Sequence, residues 1–128
     1  MKSNVRRFAG PIVTGLFLLA SLSAAFAATE KLSDMTVHEF VARCDRDKAT
    51  WCYEKIMSVA LADSFNHSFK GQKQTICVPD VGNRPMPEYE RAIRTPIVGW
   101  LKRHDGTGFP HALEGITAAM QARWPCKI

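Results

Sequence analysis

Met35-Thr36-Val37-His38-Glu39-Phe40-Val41-Ala42-Arg43-Cys44 reads as the start of a helix and the whole of its inner face. Thr36 and Glu39 form a capping box: the threonine hydroxyl can accept from the Glu39 amide while the Glu39 carboxylate reaches back to the Thr36 amide. Met35 and Phe40 flank the box at the spacing of a hydrophobic staple. Val37, Phe40, Val41 and Cys44 then recur at i, i+3, i+4 and i+7, one apolar stripe of a short helix with a cysteine on it.

Further helices are expected downstream. Asp45 to Lys48 is a charged break, and a second helix is predicted from Ala49 to His67. Its stripe runs Cys52, Tyr53, Ile56, Val59, Ala60 and Asp63, widened by Met57, Leu61 and Phe65. Asp63 is expected at a solvent-facing end of that stripe, since unpaired buried aspartate is rare. Lys70 to Gln74 reads as a loop, Thr75 to Pro79 as a brief extended stretch, and Asp80 to Pro87 as a turn-rich connector. Pro87 suits the first turn of a third helix, where a missing amide donor costs nothing. Tyr89, Ala92, Ile93, Pro96, Ile97, Trp100, Leu101 and His104 keep helical spacing through a proline, which predicts one kinked helix. A fourth helix is expected from near Pro110, with Leu113, Ile116, Ala119, Met120 and Trp124 as its stripe and Pro125 as its stop. The fold class is therefore all-α: a small four-helix domain, one helix kinked, cross-linked by disulfides.

The cross-links follow from the address. Lys2, Arg6 and Arg7 precede an apolar run from Ile12 to Phe26, and Ala25-Phe26-Ala27 has the small-x-small form of a cleavage site. Residues 1–27 are thus expected to be a signal peptide and 28–128 a single domain, with no membrane anchor after cleavage. Removing Lys2, Arg6 and Arg7 lowers the net charge from +5 to +2. The basic balance belongs largely to the leader, which argues against a nucleic-acid partner. Cys44, Cys52, Cys77 and Cys126 all survive cleavage, and an even count in an exported chain predicts two disulfides. Four cysteines allow three pairings. None stands close enough to another for a zinc knuckle, so no metal is expected.

No enzymatic motif appears. His38-Glu39 is not followed by the rest of a zinc-protease helix, and Ser64 with His67 lacks a nucleophile elbow. No glycine-rich phosphate loop is present, and neither catalysis nor a cofactor is expected.

Phe40-x₃-Cys44, Trp51-Cys52-Tyr53, Ile76-Cys77-Val78-Pro79, Trp100-Leu101-x₂-His104 and Ala118-Ala119-x₄-Trp124-Pro125-Cys126 together resemble the Rap/Tai family, periplasmic immunity proteins of type VI secretion systems. The similarity runs from Met35 to Cys126. It implies a small helical fold held by disulfides, usually a homodimer, that binds and blocks a peptidoglycan amidase effector. The chain departs from the family's Cys-x-Gly-Tyr-x-x-Gly pattern, reading Cys52-Tyr53-Glu54-Lys55-Ile56-Met57-Ser58 with neither glycine. Asp105 also stands where a proline often follows the histidine.

Geometry suggests a pairing. Phe69 to Ile76 could run back along the second helix and bring Cys77 to Cys52, leaving Cys44 to meet Cys126. An inhibitor of this kind needs a rigid body and a projecting plug. His104, Asp105, Gly106, Thr107, Gly108 and Phe109, between the last two helices, are the preferred plug, and Asn66 to Gln74 is the second candidate. A periplasmic chaperone or stress protein is the rival class.

Overall fold

The computed structural model describes residues 31–46, 49–80, 82–104 and 108–127. The signal peptide predicted for residues 1–27 lies outside them. Among the described residues there are four α-helices: α1 (Val37–Arg46), α2 (Ala49–Lys70), α3 (Met86–Arg103) and α4 (Ala112–Arg123), preceded by a 3₁₀ turn at Leu32–Asp34. No regular strand accompanies them; Ile76 and Pro125 form an isolated antiparallel bridge.

The capping box forms as the sequence requires. The Thr36 amide donates to Glu39 Oε2 at 3.0 Å, and the Glu39 amide donates to Thr36 Oγ1 at 3.1 Å. Met35 and Phe40 are both buried. The Met35 carbonyl accepts from the Ala112 amide at 2.7 Å, which satisfies an otherwise orphan donor at the start of α4. One end of α4 is thereby tied to the entry of α1.

Phe40, Cys44, Cys52, Ile56, Ile93, Ile97, Leu101, Ile116 and Met120 make the centre of the core, with contributions from all four helices. The contact between α2 and α3 is the most extensive of the helix pairs. Gly115 lets α4 approach closely: a Cβ there would stand 2.7 Å from Val37 Cγ2 and 3.3 Å from Leu101 Cδ2.

Several boundaries shift from expectation. The helix α1 continues through Asp45 and Arg46, so the charged break is narrower than the sequence suggests. The helix α2 extends to Lys70 and ends at Gly71, whose φ of 64° is the left-handed conformation that stops a helix cheaply. As the unbroken spacing predicts, Pro96 does not divide α3, which is one continuous helix. Pro85 caps that helix and Pro87 sits in its first turn. The helix α4 begins at Ala112 and not at Pro110, because His111 remains extended at φ −142° and ψ 168°. Its inner stripe is Ala112, Gly115, Ile116, Ala119 and Met120, while Leu113 is exposed.

The disulfides join neighbours in sequence order, Cys44 to Cys52 and Cys77 to Cys126. This corrects the expected Cys52–Cys77 and Cys44–Cys126 pairing. Cys44 and Cys52 close the α1–α2 connection across eight residues and are buried. Beside them the Arg43 guanidinium lies 4.3 Å over the Trp51 ring, which itself meets Phe40 at 5.7 Å. Cys77 and Cys126 bind the chain's end to the segment after α2, alongside a Cys77 amide donating to the Trp124 carbonyl at 2.8 Å.

Candidate partner-binding surface

Asp63 explains why the segment after α2 takes the path it does. Its carboxylate accepts from the Thr75 amide at 3.1 Å, the Thr75 hydroxyl at 2.8 Å and the Ile76 amide at 3.0 Å. The expected solvent-facing acid is therefore a half-buried, fully partnered one. Partial burial pushes its carboxyl up, but the Ile76 amide and the two Thr75 donors outweigh that and hold it below the ordinary value, with the nearby His67 assisting. Thr75 is gripped from the other side by Gln121, whose side-chain amide donates to its hydroxyl at 3.0 Å.

This clasp fixes the base of a turn. The His67 ring hydrogen-bonds the Gln72 carbonyl through Nδ1 at 2.8 Å, and the Gln72 amide donates to the Asn66 carbonyl at 3.3 Å. The last turns of α2 and the segment to Gln74 form one braced unit, anchored below by Asp63 and the Cys77–Cys126 bridge.

Its outer edge is apolar. Beyond Ala60, α2 carries no buried residue, and Leu61, Phe65 and Phe69 are 65%, 53% and 75% exposed. They recur every four residues and so share one edge of the helix. The rings of Phe65 and Phe69 stack at 4.6 Å. Leu61 and Phe65 were expected to widen the core stripe; the core instead closes at Ala60, and these side chains face outward. The signal for this was present: from Ser64 to Pro79 the chain has no acidic residue, while Lys70 and Lys73 punctuate it, a pattern that suits a solvated tip better than a packed helix.

The other candidate is the connection after α3. His104 folds back on its own helix, its ring stacked 3.8 Å from that of Trp100 and its Nδ1 2.8 Å from the Trp100 carbonyl. Phe109 is half-buried, with its ring centroid 6.0 Å from that of Trp100. Gly108 is exposed with φ 80°. Asp105, Gly106 and Thr107 lie outside the described residues. The two aromatic ends of this connection are thus engaged with Trp100, whereas Phe65 and Phe69 pack only on each other among the ring contacts of the described residues and stay largely exposed.

Among the described residues, no three His, Cys, Asp or Glu side chains gather as a metal cage would require. No helix among them is long and apolar enough to cross a membrane. Two disulfides fit an oxidising compartment. Comparison with family models, curated proteins and solved structures found no match to this chain.

Proposed function

We propose that this chain is a periplasmic immunity protein of a type VI secretion system, acting by binding a peptidoglycan amidase and obstructing its active-site cleft. The reading rests on the Rap/Tai-like order of cysteines and aromatics in the sequence. The observation that carries it furthest is the braced tip of α2, with its exposed Leu61, Phe65 and Phe69.

An inhibitor that works by occupation needs anchors held in place before binding, because ordering them afterwards subtracts from affinity. Large aromatics presented on a fixed helix edge meet that need, and helix-in-groove recognition reads anchors at such spacing. The Asp63 clasp and the turn hydrogen bonds supply the stiffness. The connection from His104 to Phe109 is the second contact, with Asp105 available to meet a catalytic histidine or cysteine. A homodimer, which the family resemblance implies, would present two such tips.

The test is co-expression in the periplasm with an amidase encoded beside this gene, followed by co-purification and a survival assay. Protection is expected from the wild type. Phe65→Asp and Phe69→Asp should each weaken the complex by at least about 30-fold, as loss of a dominant anchor does, with unchanged helical content. An amidase that neither binds the wild type nor is restrained by it would remove the proposal.

A further inference from the structure

A cleft of about 240 Å³ lies between the end of α1 and the outer face of α3. Cys44 and Asp45 form one wall; Arg94, Val98, Gly99 and Lys102 form the other. Lys102 Nζ is 3.0 Å from Asp45 Oδ1, so that cation already has its counter-ion. Arg94 does not. Its Nε is shielded from solvent with no hydrogen-bond partner, and no carboxylate among the described residues reaches its guanidinium. Shielded donors without an acceptor are rare in native proteins, and each calls for an explanation such as a missing ligand.

We infer that this cleft is a binding site for a single carboxylate, received by the Arg94 guanidinium and carried on a short apolar stem that lies against Val98 and the Cys44–Cys52 bridge. Fork geometry and an apolar stem select the class. Arg94 and Lys102, with the Arg103 guanidinium beside Gly99, outweigh Asp45, so the cleft favours an anion. Inorganic phosphate has no stem to set against Val98. The planar fork of arginine matches two carboxylate oxygens, and a turn of the guanidinium about its last side-chain bonds brings Nε to one of them. The volume, about eight waters at ~30 Å³ each, admits a small acid or one terminal residue. Val98 and Cys44, one on each wall, are the buried apolar residues the stem would meet.

The test follows the Arg94 Nε–Hε and Gly99 amide resonances of the isotopically labelled chain during titration with sodium propionate at constant ionic strength. Saturable shifts at both positions are expected. Arg94→Lys keeps the charge and loses the fork, and should weaken binding about tenfold; Arg94→Met should abolish it. Inorganic phosphate, which has no apolar stem, should bind more weakly than propionate, and phosphate binding as tight as propionate's would overturn the inference. N-acetylalanine and the blocked amide of glutamate distinguish the sources: tighter binding of the first assigns a free chain end or small acid, and of the second a side chain of a protein partner. Shifts that sodium chloride reproduces, or a propionate affinity unchanged in Arg94→Met of native helical content, would overturn the inference.

Discussion

Asp63 shows how one side chain can direct a chain's path. Three donors from Thr75 and Ile76 converge on it, and each hydrogen bond to a charged acceptor contributes more than a neutral one. Asp63→Ala should cost about 2–3 kcal/mol at neutral pH, a figure reduced from the sum of the bonds because the site is only half-buried. The folded state holds this carboxyl below its ordinary value of 3.8. Its contribution is therefore complete above the unfolded value and is lost as pH falls through the lower, folded one. Urea denaturation at pH 7 and at pH 3 checks the sign: the gap between wild type and Asp63→Ala should narrow in acid. The sequence could not disclose this role. Periodicity put Asp63 on the apolar stripe but left it as a solvent-facing end, because its partners lie twelve and thirteen residues away across a loop, where no local pattern reports them.

Among the elements, the helices were legible because their signals are local. The capping box, the first-turn proline of α3 and the i, i+3, i+4 stripes each depend on residues within a turn or two. The failures occur where a long-range contact decides. The segment after α2 was expected to return as far as Cys52, but Asp63 halts it about three helical turns short, some 16 Å along the axis. That stop leaves Cys77 beside Cys126 and makes the expected pairing unreachable. Leu61 and Phe65 failed for a related reason: an apolar residue on a long helix is buried only where a neighbour extends to cover it, and the core ends at Ala60. The α4 approach is a third long-range matter. Gly115→Ala gains roughly 1 kcal/mol of helix propensity, but its methyl collides with Val37 Cγ2. Overpacking costs about 1–3 kcal/mol and should win, giving net destabilisation. Val37→Ala in the same chain should remove most of that penalty, measured by thermal denaturation of the single and double variants.

At the scale of the molecule, the two bridges differ in reach and in access. The loops they close span eight and forty-nine residues. The chain-entropy model assigns about 2.5 kcal/mol to the first and about 4 kcal/mol to the second. Replacing Cys77 and Cys126 together by alanine should therefore lower stability more than removing the local bridge does through its loop alone. Exposure orders their reduction. Cys77 is exposed while Cys44 and Cys52 are buried, and a thiol reagent must reach sulfur to attack it. Mild dithiothreitol should open Cys77–Cys126 first, leaving Cys44–Cys52 intact, as peptide mapping after alkylation would record. Opening it removes the covalent support beneath the Asp63 clasp, so the α2 tip should become protease-sensitive before the helical core does.

The consecutive order of the bridges also bears on biogenesis. Were the chain exported as the proposed function requires, threading N-terminus first would expose Cys44 and Cys52 together, and then, after a gap, Cys77 and Cys126. An oxidase that simply joins each newly arrived thiol to the last unpaired one would produce the native set without error. Maturation of this domain should accordingly be indifferent to loss of a disulfide isomerase, and sensitive only to loss of the oxidant.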